Sequence, residues 1–262
     1  MRVLFPIPRI TESFIDRVIE SLGWKRYVDI RNPEAGELNA DYVSKQAVLE
    51  LKIFEEEGLE TPERQTRIAS LYRDFASVGG VVDLDLDNTP AHLRRELEVL
   101  VSRPLQTAVK KASKQIKTSS TTLGLDGVGV LFGVNNGYSS LDADNFERLL
   151  VRRCLNDSTN IDHAVCITVD YHQGEVDAFV FCAVRCHAVR GGSEWSEFGA
   201  LQAAVVNAFS DGMTQMMRDQ VNPALWGESL GPVRDIRFER NGVEYVREAP
   251  SVPDSRFDNN ES

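Results

Sequence analysis

The stretch NADYVSKQAVLELKIF, residues 39–54, decides the fold. It contains two strand-like apolar runs separated by the polar residues 44–46, which is the pattern of a β-hairpin. On a strand, side chains two apart share a face, so Glu50 and Lys52 point to one side while their apolar neighbours point to the other. The second strand of the hairpin is therefore expected to project a carboxylate and an ammonium group together.

Asp41 lies on the first strand of this hairpin, where it can approach Glu50. Two buried carboxylates repel each other unless a divalent cation lies between them. Mg²⁺, or Mn²⁺ in its place, suits such a pair of oxygen ligands. Lys52 beside the metal could orient or deprotonate an attacking water, or stabilise developing negative charge. The alternative is an ion pair between Glu50 and Lys52 on a solvated sheet face, which contributes little energy.

A basic helix is predicted over residues 105–118. No acidic residue occurs between Glu98 and Asp126, and lysines on the predicted helix recur at the spacing that lines one side of a helix. Those residues are Lys110, Lys111, Lys114 and Lys117. Because no neighbouring acid offsets their repulsion, we expect them to contact nucleic-acid phosphates, although a solvated helix face is the alternative.

The sequence resembles the PD-(D/E)XK nuclease superfamily, which has the restriction-endonuclease-like fold. The resemblance rests on Asp41 followed by Glu50-Leu51-Lys52, with Glu12 on the preceding predicted helix and Lys111, Lys114 and Gln115 on the later one. It implies that Asp41, Glu50 and Leu51 contact the metal and that Lys52 assists hydrolysis. It also implies that Glu12 adds a metal ligand, and that Lys111, Lys114 or Gln115 contacts phosphate or positions the water. Ala40 stands where the proline of the family's name would be.

The resemblance implies an α/β fold, namely a restriction-endonuclease-like mixed sheet flanked by helices, with a helical insertion and additional C-terminal strands and a helix. A single domain over residues 1–247 is expected. Within it the core motifs cover 10–134, the insertion covers about 61–102, and 135–247 extends the sheet. Residues 248–262 have two prolines and four acids, which predicts a mobile acidic tail.

The function that follows from the resemblance is Mg²⁺-dependent hydrolysis of phosphodiester bonds in nucleic acid, most simply DNA, by an endonuclease that could act as a homodimer. The alternative is a non-catalytic module on the same fold that binds nucleic acid or protein. The acidic balance, 29 Lys plus Arg against 40 Asp plus Glu, argues against indiscriminate binding to nucleic acid.

Composition also bears on the location of the chain. With 42% hydrophobic residues among 262, it can form a packed core. Its apolar runs are shorter than the about 20 residues of a membrane span, so no membrane partner is expected. A cytoplasmic protein with reduced cysteines is the expectation.

Three further patterns point mostly to structure. Asp83, Asp85 and Asp87 resemble the opening of a calcium loop that lacks its glycine and its final glutamate, so a calcium site is rejected. Cys182 and Cys186 lack the partners of a zinc site and are predicted to lie in the core. A predicted helix over residues 197–218 has an apolar stripe that is either core or a dimer interface.

Overall fold

The computed structural model describes residues 7–34, 36–55, 58–173, 178–190, 195–218 and 230–249. Its helices are α1 (Glu12–Ser21), α2 (Tyr27–Ile30), α3 (Pro62–Leu71), α4 (Ala91–Val101), α5 (Arg103–Leu123), α6 (Ala143–Asp157) and α7 (Phe198–Arg218). Its strands are β1 (Lys25–Arg26), β2 (Tyr42–Val43), β3 (Ala47–Phe54), β4 (Val81–Asp83), β5 (Val128–Asn135), β6 (His163–Gln173), β7 (Ala178–Ala188), β8 (Ile236–Arg240) and β9 (Val243–Arg247). A short 3₁₀ helix, Gly58–Glu60, precedes α3.

Six strands form the central sheet in the order β1-β2-β3-β5-β6-β7. β2 is antiparallel to β1 and β3, whereas β3, β5 and β6 run parallel, and β7 returns antiparallel to β6. Parallel neighbours require long crossover connections, which here include α5 and α6. The prediction of a mixed α/β fold with a mixed sheet flanked by helices is confirmed at this level.

Helices cover both faces of the central sheet, and each face of β3 contributes apolar residues to a core. Leu49 of β3 belongs to a core cluster with Phe14 of α1 and Val205 of α7. On the opposite face, Val48 belongs to a cluster that includes residues of α5 and α6. None of the helices within the described ranges is long and apolar enough to cross a membrane.

A separate sheet of three strands, in the order β4-β9-β8, corrects two expectations. The predicted helical insertion at 61–102 contains β4, and the last two strands do not extend the central sheet. The cause is a long-range pairing in which Val81 lies opposite Glu244, and no local sequence pattern indicates it. Of the predicted acidic tail at 248–262, all but the first two residues lie outside the described part of the chain.

The elements around the hairpin follow the sequence with two differences. Thr11 caps α1 by accepting a hydrogen bond from the Phe14 N–H at 3.2 Å, as its position predicts. The stretch at 27–30, although rich in residue types that favour strands, is the single helical turn α2, which begins where the Tyr27 N–H donates to the Asp41 carbonyl at 2.9 Å. α5 continues past the predicted end at 118 to a left-handed Gly124, whose φ of 62° suits glycine.

A carboxyl group without a cationic partner is buried in β6. Asp170 is 6% exposed, and no described residue forms a hydrogen bond or an ion pair with it. Burial raises its pKa to about 7, and the neighbouring Asp142 carboxylate adds to the shift. The charged form of Asp170 therefore destabilises the folded protein at neutral pH and above.

We expect Asp170→Asn to stabilise the protein more at pH 8 than at pH 5. The pKa of an unfolded aspartate is about 3.9, so native stability falls as pH rises from there through the folded pKa. The increase in the free energy of unfolding caused by Asp170→Asn should be larger at pH 8 than at pH 5 by on the order of 2 kcal/mol. Urea unfolding at both pH values measures it. Asp162→Asn is the control, since Asp162 accepts a hydrogen bond from the Gly129 N–H at 2.8 Å. An equal gain for both variants, or no gain for Asp170→Asn, would contradict the prediction.

Candidate functional site

The hairpin brings Asp41 and Glu50 together. Tyr42 pairs with Leu49 across the two strands, and the same register continued by one residue places Asp41 opposite Glu50. The Asp41 backbone donates to the Leu49 carbonyl at 3.1 Å, while its Oδ2 atom accepts from the Leu51 N–H at 2.7 Å. Asp41 is thus held in place by its backbone and by its side chain.

Glu50 and Lys52 lie on the face of β3 that α5 covers, as the alternation along the strand predicts. Glu50 is completely buried. The Lys52 Nζ atom donates to Glu50 Oε1, and only 18% of the Lys52 side chain is exposed. The alternative of a solvated surface ion pair does not describe this arrangement, because Glu50 is inaccessible to water.

Both carboxyl groups have pKa values above those of ordinary carboxyl groups, so the doubly charged form is disfavoured. Burial raises the pKa of Glu50 to about 8, and the nearby Asp41 charge adds to the shift while Lys52 opposes it. Burial also raises the pKa of Asp41, against the hydrogen bond from Leu51 and the charge of Lys52. A hydrogen bond between the two carboxyl groups also raises the pKa of Glu50 and lowers that of Asp41. The buried Glu50 Oε2 atom accepts no hydrogen bond within the described part of the chain. A buried, unpartnered carboxylate oxygen favours a cation that the protein itself does not supply.

The residues present fit a magnesium ion. Mg²⁺ in proteins is held by one or two carboxylates, with waters and substrate phosphate as its remaining ligands. Asp41 and Glu50 could provide the two carboxylates. Leu51 could contribute only a backbone carbonyl, since its buried side chain is apolar. Within the described residues no group of three or more His, Cys, Asp or Glu side chains is arranged to hold a metal, so a fully protein-ligated site is not indicated.

Glu12 lies at the rim of this site. Its charge raises the pKa of Asp41, so the two groups are close. Its side chain is 59% exposed, however, and it forms an ion pair with Arg26. The same guanidinium contacts Asp16 at 3.3 Å. Glu12 is therefore neutralised by Arg26 in this structure rather than directed only at the buried carboxyl pair.

Gln115 reaches the base of the hairpin from α5. Its Nε2 atom donates to the Asn39 carbonyl at 2.8 Å, and its Oε1 atom is buried without a partner. One turn later, the Ser119 hydroxyl accepts from the Ala40 N–H at 2.8 Å. These two bonds anchor α5 next to Asp41 and leave one amide oxygen free in the interior.

The four lysines of α5 are exposed but do not stand equally near this site. Gln115 is on the buried side of the helix. At about 100° per residue, Lys111 lies about 40° from Gln115 around the helix axis, whereas Lys117 lies about 160° away. Lys110, also on the far side, forms an ion pair with Asp157 at 3.6 Å. Lys111, followed by Lys114, is the lysine best placed to reach a ligand at the carboxyl pair.

Sequence reasoning missed a small network behind the site. The Tyr42 hydroxyl donates to Asp16 at 2.9 Å, and Asp16 in turn contacts Arg26, the partner of Glu12. Asp16 follows Glu12 by four residues and so shares its face of α1. The spacing of Glu12 and Asp16 is visible in the sequence. The ion pairs with Arg26 are not, because they require β1 to lie next to α1 in the fold.

The other metal motifs have structural explanations. Asp83 and Asp85 accept hydrogen bonds from the backbone N–H groups two residues later, at 2.8 and 2.7 Å. Cys182 and Cys186 are unpaired and half-buried, and burial raises the pKa of their thiols to about 12 and about 11. The two cysteines are less buried than the predicted core position requires, because β7 is the outermost strand of the described sheet.

A groove of about 680 Å³ lies between α3 and α4, away from the carboxyl pair. Its lining includes Arg67, Arg95 and Val99, and it contains none of the predicted site residues. It therefore adds nothing to the hairpin site.

Comparison of the chain with known protein families, with curated proteins and with solved structures finds no match.

We expect Glu50→Gln to stabilise the protein in EDTA at pH 8, by on the order of 2 kcal/mol, because the uncharged amide removes the cost of a buried anion. The sign follows from the raised pKa, since native stability falls as pH rises toward about 8. Chemical unfolding measures the change.

The matched control is Glu98→Gln. Glu98 is 5% exposed, but it accepts from Arg148 at 2.6 Å and from Arg152 at 2.5 Å, and these bonds lower its pKa. Its replacement should cost about 1–3 kcal/mol. If both variants lose stability alike, Glu50 is not the uncompensated acid described above.

Proposed function

We propose that this protein is a Mg²⁺-dependent nuclease of the restriction-endonuclease-like type that hydrolyses phosphodiester bonds, most simply in DNA. One observation carries the proposal. Asp41 lies opposite a completely buried Glu50 whose Oε2 atom accepts no hydrogen bond from the described residues, and the Lys52 ammonium group lies beside them. Such an arrangement costs stability, and a cation with its phosphate ligand would offset that cost.

The residues have distinct roles in this proposal. A bound Mg²⁺ supplies Lewis acidity toward a phosphate oxygen and lowers the pKa of a coordinated water. Asp41 and Glu50 would hold the ion through their carboxylate oxygens, which requires that Glu50 lose its proton. Lys52 holds or accepts a proton at Nζ and stabilises negative charge that develops on phosphate. Glu12 would orient water at the rim, and the buried Gln115 Oε1 atom would accept a hydrogen bond from a water bound inside the site.

The fold supports the same proposal at a coarser level. The chain runs from helix α1 through the β2-β3 hairpin and α5 to β5, which lies parallel to β3. This order is the one expected from the resemblance, with α3, β4 and α4 inserted between β3 and α5. Glu50 lies on β3, an interior strand of the central sheet, and Asp41 directly precedes β2 beside it, which suits a site that must hold its geometry.

The charge distribution supports an anionic polymer as substrate. The net charge is −11, so the body of the protein repels phosphate on average. Lys111 and Lys114 on α5 provide a local exception on the side of the helix nearer the carboxyl pair. The four cysteines are unpaired, which suits a reducing compartment such as the cytoplasm.

The test is cleavage of plasmid, single-stranded DNA and RNA with Mg²⁺, Mn²⁺ or EDTA. We expect metal-dependent cleavage that falls about 100-fold or more in Asp41→Asn and in Lys52→Gln, since each removes a group at the reacting phosphate. Asp29→Asn and Lys45→Ala are the controls, because both residues are exposed and lie elsewhere. Salt-sensitive binding without cleavage would favour the non-catalytic alternative. Cleavage that survives in both site variants would contradict the assignment.

The lysines provide an independent prediction. In the Asp41→Asn background, Lys111→Ala should weaken DNA binding and reduce the slope of log affinity against log salt by about one, as expected for a lost phosphate contact. Lys117→Ala should change the slope much less because it points away from the site. Fluorescence anisotropy at several salt concentrations measures both. If the two variants reduce the salt slope equally, phosphate binds all around α5 and not preferentially at the side near the carboxyl pair.

A further inference from the structure

Two buried polar side chains lie side by side near the end of β6. Asp170 is 6% exposed and Thr168 is 1% exposed. The Thr168 Oγ1 atom forms no hydrogen bond with any described residue, and neither does the Asp170 carboxyl group. Side chains two apart on a strand share a face, so the hydroxyl and the carboxyl group point to the same side of the sheet. Buried polar groups are normally hydrogen-bonded, so this pair lacks a partner that the described chain does not supply.

The pair lies at the junction of β6 and α6. Thr168 is opposite Asn135, the last residue of β5, so β6 continues past β5 and Asp170 lies beyond the end of that strand. The chain that leaves β5 leads to α6, whose first turn Asp142 caps by accepting from the Asn145 N–H at 2.8 Å. Asp142 is near enough for its charge to raise the pKa of Asp170. Two carboxyl groups and a hydroxyl group are therefore close together at this junction.

The charges around Asp170 do not balance. The buried Arg247 donates to Asp85 at 2.8 Å and to Asp142 at 3.4 Å. No cationic side chain of the described residues pairs with Asp170. His172 is two residues further along the same face of β6, but burial lowers its pKa, so it carries little charge at neutral pH. When Asp170 is ionised, three carboxylates share one guanidinium, and two negative charges remain.

We propose that Asp170 and Thr168 bind a divalent metal cation of the calcium type at the junction of β6 and α6. A divalent cation matches the two remaining negative charges. A carboxylate and a hydroxyl group are oxygen donors, which suit hard cations such as Ca²⁺ and Mg²⁺. This site is separate from the hairpin, since β5 lies between β6 and the strand that carries Glu50.

Burial favours Ca²⁺ over Mg²⁺ at this junction. Mg²⁺ requires nearly ideal octahedral geometry and usually keeps several waters, whereas Ca²⁺ accepts backbone carbonyls in irregular arrangements. Water has little access to Asp170 or to Thr168. No group of three or more His, Cys, Asp or Glu side chains in the described ranges is arranged to hold a metal. The other ligands would therefore be backbone carbonyls and a few waters, a set that suits Ca²⁺ better.

The experiment is calorimetric titration of the full chain with Ca²⁺ and with Mg²⁺ at pH 8. The titrated protein carries Glu50→Gln, so that the carboxyl pair of the hairpin contributes as little as possible. We expect one Ca²⁺ per chain, bound more tightly than Mg²⁺. Asp170→Asn and Thr168→Val should each weaken Ca²⁺ binding by about 10-fold or more, since even a residue behind a metal ligand contributes about 10–100-fold to affinity.

Unfolding in urea is the second measurement. Ca²⁺ should raise the urea midpoint of the parent chain but not that of Asp170→Asn, because a ligand that binds only the native state stabilises it. Asp87→Asn is the matched control in both measurements, since Asp87 is an exposed aspartate in the acidic stretch 83–87. It should leave the affinity for Ca²⁺ unchanged.

Absence of Ca²⁺ binding would overturn the proposal, and so would equal affinity for Ca²⁺ in Asp170→Asn and its parent. Loss of affinity in Asp87→Asn would overturn it as well, because the ion would then lie at the exposed aspartates. Mg²⁺ binding as tight as that of Ca²⁺ would contradict the calcium type. None of these outcomes involves nucleic acid, so the result is independent of the nuclease proposal.

Discussion

The site depends on the cost of burying two carboxyl groups next to each other. The backbone prevents them from separating, because Asp41 is bonded on one side to β3 and on the other to α2 through the Tyr27 N–H. One ammonium group, that of Lys52, compensates only part of their charge, and Glu50 consequently binds a proton more tightly than an ordinary glutamate. A folded protein retains such an arrangement at a cost to its stability, which is typical of functional sites.

The same constraint connects proton and metal binding. A proton on Glu50 and the proposed divalent cation at the carboxyl pair would stabilise the same oxygen atoms, so one would displace the other. Arg26 has a comparable relation to Glu12, since a carboxylate that pairs with a guanidinium must release it before it can ligate an ion. In the absence of a cation, burial favours a proton on Glu50, and Arg26 pairs with both Glu12 and Asp16 at the rim. Uptake of a cation would shift both.

How much could be read from the sequence depends on how local each interaction is. The hairpin and the common face of Glu50 and Lys52 follow from alternation within a few residues. α2 could not be predicted, because a carbonyl 14 residues away determines where it begins. β4 pairs with a strand near the end of the chain, a contact that no local pattern reveals. The sequence does not show which lysines of α5 lie nearer the carboxyl pair. The structure does, because the hydrogen bonds of Gln115 and Ser119 fix which side of α5 faces the hairpin.

The fold places the basic helix and the carboxyl pair on the same side of the central sheet. α5 packs on the face of the sheet that carries Glu50, whereas α7 packs on the other face with α1. An acidic chain can thereby present a basic helix to a polyanion beside the carboxyl pair, because the net charge of −11 disfavours binding of the same polyanion over the rest of the surface.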